Sequence, residues 1–162
     1  MRKQFPDNIR RITATIGERT YCYRSEGEFM WVQYLEWLKK AGEIKDWRYE
    51  ITTFFFPNEK TAPVQYTPDF FIVPTEGPAY YQELKRGHLD GSAVTKFRRM
   101  AKHCPDEIIE LVMLGKPKKD NHRMHIAKKY VRRIVDATVI IRQLGRLIIT
   151  AKDFRLLGEP PL

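Results

Sequence analysis

The sequence predicts a mixed α/β domain, in which helices flank a central mixed sheet. A helix-periodic run follows Ser25, and aromatic and β-branched runs come after it. A basic helical run and one short apolar run then complete the order helix, three strands, helix, strand. At 162 residues the chain has the length of one domain and can bury most of its apolar surface.

The first helix is predicted from Ser25 to Lys40. Its apolar residues Trp31, Leu35 and Leu38 recur at three- and four-residue steps. Gly42 follows the last of them and suits a C-terminal stop. The spacing therefore predicts a helix with one buried face.

Three strands, a second helix and a fourth strand should follow. The strand runs are rich in aromatic and β-branched residues, and PTEGP at 74–78 has the composition of a turn. The second helix follows Gly91 and is basic. The predicted strands are Trp47–Pro57, Val64–Val73, Ala79–Arg86 and Ile108–Leu114, and the predicted second helix is 92–103.

We predict three parts for the chain. Residues 1–24 form a basic arm, residues 25–115 the core, and residues 116–162 a basic extension packed on the core or forming a dimer contact. Within the extension, Ala127 to Val135 has helical spacing. The apolar triplets VII at 139–141 and LII at 147–149 fit a hairpin or a helix.

The net charge of +9 is unevenly distributed along the chain. Residues 1–24 carry +4, residues 25–115 carry −3 and residues 116–162 carry +8. Basic flanks around an acidic centre favour a polyanionic partner. Nucleic acid is favoured over a membrane surface, because the basic stretches lack a wide amphipathic Trp/Leu face.

Several classes of protein do not fit the sequence. No stretch approaches the roughly 18 apolar residues of a membrane span, and the N-terminus lacks the apolar core of a secretory signal. Cys22 and Cys104 have neither metal-ligand spacing nor the look of a disulfide scaffold. A cytoplasmic protein of a bacterial or phage-infected host cell is expected.

The residues that suggest chemistry lie on the second and third predicted strands. Side chains alternate along a strand, so Glu83 and Lys85 share one face. Asp69 follows Pro68, which favours the start of a strand, and the short turn makes the two strands hairpin neighbours. Asp69 and Glu83 should then face each other. Two close carboxylates repel unless a cation or proton compensates them, and oxygen ligands of this kind suit Mg²⁺.

Such a site suits phosphodiester hydrolysis. The metal would neutralise charge on the phosphate and activate a water, while Lys85 orients that water or offsets the phosphorane charge. Glu28 on the first helix would project toward the sheet and could complete the metal site. Alternatively, Ser25-x-x-Glu28 is a capping box, and Glu26 then takes the place of Glu28 in the site.

Pro68-Asp69 followed by Glu83-Leu84-Lys85, with a helix glutamate upstream, resembles the PD-(D/E)xK nuclease superfamily. Residues 25–47 also resemble small phage and bacterial nucleases of that superfamily, in which Ser-x-x-Glu opens the first helix. The resemblance covers about residues 25–115. It implies a restriction-endonuclease-like core and metal-dependent DNA cleavage, with Asp69 and Glu83 as metal ligands, Lys85 positioning the water and Glu28 assisting.

Archaeal-type Holliday junction resolvases share this core and are small, basic homodimers. We therefore expect a homodimer that cuts branched DNA, with Mg²⁺ as cofactor and Mn²⁺ as a substitute. A nuclease on linear or single-stranded DNA in phage DNA processing or restriction is the alternative, as is a non-catalytic DNA-binding protein. The residues expected to contact DNA are Arg24, Ser25, Arg86, Lys96 and Arg99.

Overall fold

The structure is a computed structural model and describes residues 11–115 and 122–150. The strands within these ranges are β1 Ile12–Ile16, β2 Arg19–Tyr23, β3 Ile44–Tyr49, β4 Phe54–Phe55, β5 Gln65–Tyr66, β6 Phe70–Pro74, β7 Tyr80–Arg86, β8 Ile109–Leu114 and β9 Ile134–Asp136. The helices are α1 Glu26–Lys40, α2 Gly91–His103, α3 His122–Ala127 and α4 Ala137–Leu144. None of these helices is long and apolar enough to cross a membrane.

A five-stranded mixed sheet in the order β3-β6-β7-β8-β9 forms the centre of the fold. The β3, β6 and β7 strands are antiparallel neighbours, and the β7, β8 and β9 strands run parallel. Tyr80 and Val112 belong to a core with α1, and Tyr81 and Leu111 to a second core with α2 and α3. Because strand side chains alternate, the two cores lie on opposite faces, and the predicted mixed sheet flanked by helices is confirmed.

The predicted first helix is confirmed over nearly its whole length. Ser25 is the N-cap, and its Oγ accepts a hydrogen bond of 3.1 Å from the Glu28 N–H. Phe29, Trp31 and Leu35 are buried against the sheet. The third strand, the second helix and the fourth strand also lie within one residue of their predicted bounds.

The first two predicted strands were wrong in extent. Instead of continuing to Pro57, β3 ends at Tyr49, because Glu50 has a left-handed φ of 46° and donates its N–H to the Asp69 carbonyl. The second run is interrupted around Pro68, which has no N–H for a ladder. The remaining pieces, β4 and β5, pair with each other in a separate two-stranded ribbon.

Residues 12–23 form a β1–β2 hairpin packed on α1, which differs from the predicted basic arm. Ile12, Ala14 and Ile16 are buried while the residues between them are exposed, so the segment has the period of a half-buried strand. Gly17, with φ of +62°, makes the turn. Residues 1–10 of the predicted arm lie outside the described residues.

The C-terminal extension departs from its predicted helix over Ala127–Val135. Helix α3 ends at Ala127, and the β-branched residues Ile134 and Val135 instead pair with β8 as the parallel strand β9. Of the two alternatives left open for 139–149, the helix is present over the first triplet as α4, capped by Asp136, while LII at 147–149 lies beyond its end. Residues 116–121 and 151–162 of the extension lie outside the described residues.

A buried polar chain ties α1 to the extension through the sheet. Trp31 Nε1 donates to Gln82 Oε1 at 2.9 Å, and Gln82 Nε2 donates to Glu110 Oε2 at 3.1 Å. The Glu110 side chain has no solvent exposure, and its other oxygen accepts from Arg132 and Arg133. Every polar group along the chain is thus paired, as burial requires.

We expect Glu110→Ala to lower the free energy of unfolding by about 3 kcal/mol, because it leaves a cavity and an unpaired buried Gln82 amide. Urea denaturation measures this change. Glu107→Ala removes an exposed carboxylate from the loop before β8 and should cost less than about 0.5 kcal/mol. Equal losses in the two variants would show that the chain adds nothing specific to stability.

Candidate active site

The candidate site lies where β6 and β7 separate. The ladder between them ends at Phe70, which is opposite Gln82, so one step further Asp69 is set opposite Glu83. The Asp69 side chain bends toward β7, and its Oδ2 accepts a hydrogen bond of 2.7 Å from the Leu84 N–H. The structure thus places the two carboxylates against each other at the open end of the hairpin.

Both oxygens of Glu83 have a protein partner. The Tyr66 hydroxyl donates to Oε2 at 2.9 Å, and the Lys85 ammonium lies 3.1 Å from Oε1. Burial and the charges of Glu83 and Asp69 raise the pKa of the Tyr66 hydroxyl well above its usual value. Tyr66 therefore remains a hydrogen-bond donor and fixes the orientation of the carboxylate.

Asp69 is in an environment that disfavours its charge. Burial and the charges of Glu83 and Glu28 raise the pKa of the Asp69 carboxyl well above its usual value. The Leu84 N–H and the Lys85 ammonium oppose this shift without reversing it. The Asp69 carboxyl is therefore more readily protonated than usual, and a bound cation would favour its charged form.

Lys85 is a cation in this setting. Burial by itself would lower the pKa of its ammonium, but Glu83, Asp90 and Asp69 outweigh that effect and raise the pKa above its usual value. The ammonium therefore keeps its proton at neutral pH. It can orient a water or offset negative charge, and it is not a ready general base.

Glu28 both caps α1 and lines the site. Its Oε2 accepts from the Tyr49 hydroxyl at 2.6 Å and from the Arg24 N–H at 2.9 Å. The Glu28 N–H in turn donates to Ser25 Oγ, so the two residues form a variant of the capping box. The Glu28 carboxylate accepts from the N–H of Arg24, one residue before the N-cap. Because its charge also raises the pKa of Asp69, Glu28 lies close enough to act on the carboxylate pair.

These side chains share one cleft of about 480 Å³. Glu83 is 4% and Asp69 9% exposed, so the carboxylates lie at its floor. Lys96 is partly buried over the Tyr66 ring, 5.3 Å from its centroid. The cations that line the cleft are Arg11, Arg24, Lys85 and Lys96. A floor of carboxylates under cationic walls suits a metal ion below and a phosphate above.

Of the five residues predicted to contact DNA, three line the cleft and two do not. Arg24, Ser25 and Lys96 line the cleft, although the Arg24 guanidinium also pairs with Glu50. Arg86 is exposed outside the cleft lining. Arg99 is buried, and its guanidinium donates to the Thr61 carbonyl at 2.7 Å, so it holds the loop after β4 in place.

Residues 11–115 and 122–150 contain no group of three or more His, Cys, Asp or Glu side chains placed to hold a metal ion. Asp69 and Glu83 nevertheless fit Mg²⁺, which is commonly held by one or two carboxylates and keeps several waters. The raised pKa of Asp69 points the same way, because a cation between the two carboxylates would offset their repulsion.

Sequence reasoning missed three contributors to the site. The Tyr66 and Tyr49 hydroxyls hold Glu83 and Glu28, and Arg11 lines the cleft from just before β1. A buried tyrosine needs a partner for its hydroxyl, but sequence does not tell which one it finds. For Arg11 the overlooked signal was the alternation of residues 12–16, which predicts an ordered strand beside it.

We expect Asp69→Asn to raise the free energy of unfolding at about pH 8 in EDTA. The native pKa of Asp69 lies above its unfolded value of about 4, so stability falls as pH rises from the unfolded value through the native one. Asparagine removes the charge and keeps an acceptor for the Leu84 N–H. Each pKa unit of the shift corresponds to about 1.4 kcal/mol.

Urea denaturation at about pH 8 and about pH 4 tests this expectation. The gain should be present at the higher pH and small at the lower one. A gain of the same size at both pH values, or a loss at the higher pH, would mean that Asp69 carries no such cost.

Comparisons of the chain with protein-family models, with curated proteins and with solved structures found no match.

Proposed function

We propose that the protein is a Mg²⁺-dependent endodeoxyribonuclease with a restriction-endonuclease-like core. The observation that carries this proposal is the buried pair of Asp69 and Glu83, with Lys85 beside it, under cationic walls. A bound cation would offset the repulsion within the pair, and the walls suit a polyanion. A metal-assisted reaction on a phosphodiester uses both features.

In this proposal each side chain has a defined task. Asp69 and Glu83 hold the metal ion, and Tyr66 keeps Glu83 oriented toward it. The bound ion would neutralise charge on the scissile phosphate and lower the pKa of the attacking water. Lys85, as an ammonium, orients that water and offsets the negative charge of the phosphorane as one P–O bond forms and another breaks. Arg24 and Lys96 hold the flanking phosphates.

A pure DNA-binding protein is a weaker explanation of the same cleft. Carboxylates on the floor of a DNA-binding surface repel phosphates and weaken binding unless a cation lies between them. Exposed acids can be harmless, but Asp69 is buried beside Glu83 at a cost to the native state. Such a cost is common where the clustered charge serves catalysis.

The substrate we propose first is the four-way DNA junction, cut by a homodimer. Two symmetric cuts need two sites, and a chain of 162 residues with one such cleft among its described residues provides them by pairing. Val139 and Leu147, which are 44% and 66% exposed, offer apolar surface for that pairing. Linear or single-stranded DNA is the alternative substrate.

We expect the protein to make paired nicks near the branch of a labelled junction in Mg²⁺. Asp69→Asn and Glu83→Gln should each lower the cleavage rate by more than about 100-fold, while DNA binding is kept or tightened because a negative charge is removed. Glu107→Gln, remote from the cleft, is the matched control. Single-turnover cleavage and anisotropy measure the two properties.

Cleavage by either site variant at the wild-type rate would show that the site is assigned wrongly. Equal cutting of a linear duplex of the same sequence would remove the junction proposal and leave the nuclease proposal standing. No cleavage of any DNA form in Mg²⁺ or Mn²⁺ would leave only the binding function.

Glu28 can be tested separately for its two roles. Glu28→Gln keeps a side chain that can accept from the Arg24 N–H and the Tyr49 hydroxyl, so the unfolding free energy should change by less than about 0.5 kcal/mol. The loss of charge beside Asp69 should still lower cleavage by about tenfold or more. Wild-type cleavage by Glu28→Gln would mean that Glu28 is only a cap. Glu26→Gln is the control on the same helical turn.

A further inference from the structure

We infer that a pocket between α1 and α4, beside the candidate active site, binds a second phosphate of the same DNA strand. This inference rests on the nuclease proposal for the cleft and adds to it the path of the DNA. The pocket has a volume of about 350 Å³, and its polar side chains are those of Arg86, Thr138 and Arg142. Met30, Leu114 and Ile141 supply its apolar wall.

The pocket offers hydrogen-bond donors and carries no carboxylate among its lining residues. The Thr138 Oγ accepts from the Gly115 N–H, which leaves its hydroxyl proton free to donate into the pocket. Two guanidinium groups and a hydroxyl make a donor set that suits a phosphate oxygen and disfavours a cation.

The Arg86 and Arg142 side chains, unlike several other arginines, have no partner in the described part of the chain. Within residues 11–115 and 122–150, neither side chain forms an ion pair or a side-chain hydrogen bond. By contrast, Arg19 pairs with Asp46, and both Arg132 and Arg133 pair with Glu110. Both lining arginines are exposed, so their charge is available to a ligand.

The pocket and the catalytic cleft are next to each other. Lys85 lines the cleft and the following residue, Arg86, lines the pocket. Leu84 of the cleft and Leu114 of the pocket both pack over Gly27, where a Cβ would lie only 2.9 Å from Leu114 Cδ2. Because Lys85 and Arg86 are consecutive residues of β7, their side chains point to opposite faces, and the cleft and the pocket lie on either side of the C-terminal end of this strand. Since a DNA strand carries a phosphate every 3.4 Å or so along the axis, a strand with one phosphate in the cleft has others within reach of the pocket.

DNA binding in EDTA, where no cleavage occurs, tests the inference. Arg142→Gln should weaken binding of a labelled junction by about three- to tenfold at about 100 mM salt and reduce the salt slope by about one. Lys45→Gln removes one exposed positive charge near the start of β3, where Ile44 pairs with Pro74 of β6 away from the cleft, and should change affinity less than about twofold. Arg142→Lys should recover most of the loss, and thermal melting confirms that all variants are folded.

A scan with uncharged methylphosphonate linkages near the cut position locates the phosphate. Wild type should lose affinity at one linkage adjacent to the scissile phosphate, and Arg142→Gln should lose none there, because the two changes remove the same contact. Arg86→Gln should behave in the same way at the same linkage.

Three outcomes would each overturn the proposed phosphate site. They are equal losses of affinity in Arg142→Gln and Lys45→Gln, identical linkage profiles in wild type and variant, and no DNA binding. The cleavage assay reports separately on the nuclease. A protein that cuts DNA but shows no Arg142 effect refutes the pocket alone. If Arg142→Gln weakens DNA binding as expected but the protein never cuts DNA, only the nuclease proposal is refuted.

Discussion

The burial of Asp69 against Glu83 is the constraint around which the rest of the site is arranged. Pro68 ends the ladder so that the two strands can separate at this point, and Asp69 then takes the Leu84 N–H as its partner. Tyr66 and Lys85 each hold one oxygen of Glu83. None of these contacts offsets the burial of Asp69 and its repulsion by Glu83, which is why the pKa of Asp69 remains raised.

The charges of the whole chain are also arranged with cations around carboxylates. The segment 25–115 has a net charge of −3, yet the cleft is walled by cations, two of which, Arg11 and Arg24, belong to the basic segment 1–24. Several other charged side chains are neutralised locally, as Asp46 is by Arg19 and Lys39. Of the cations that line the cleft, Arg11 and Lys96 form no ion pair among the described residues, so they can attract a phosphate without giving up such a pair.

Much of the core could be predicted from sequence because it depends on local periodicity. Alternation along β7 places Glu83 and Lys85 on one face, and a short turn sets Asp69 opposite, with no knowledge of the rest of the chain. The features that sequence did not predict depend on contacts between distant parts of the chain. Spacing on α2 does not reveal that the loop carrying Thr61 folds over Arg99, nor that Ile134 finds an open edge on β8. The hairpin at 12–23 was not predicted, because the basic residues of this segment indicated an arm. The alternation of apolar and polar residues at 12–16 indicates a strand.

The C-terminal extension belongs to the same unit as the core. Its strand β9 completes the sheet beside β8, and Arg132 and Arg133 neutralise Glu110, which would otherwise be an unpaired charge in the interior. Gln33 then binds both backbone groups of Ile149, at 3.0 Å each, and fixes the segment after α4 against α1. A segment attached at several such points keeps α4 in place, and with it the position of Arg142 relative to Arg86. Among the described residues of the extension, Arg142 is therefore held beside Arg86, where an unattached tail would spread its charge over many positions.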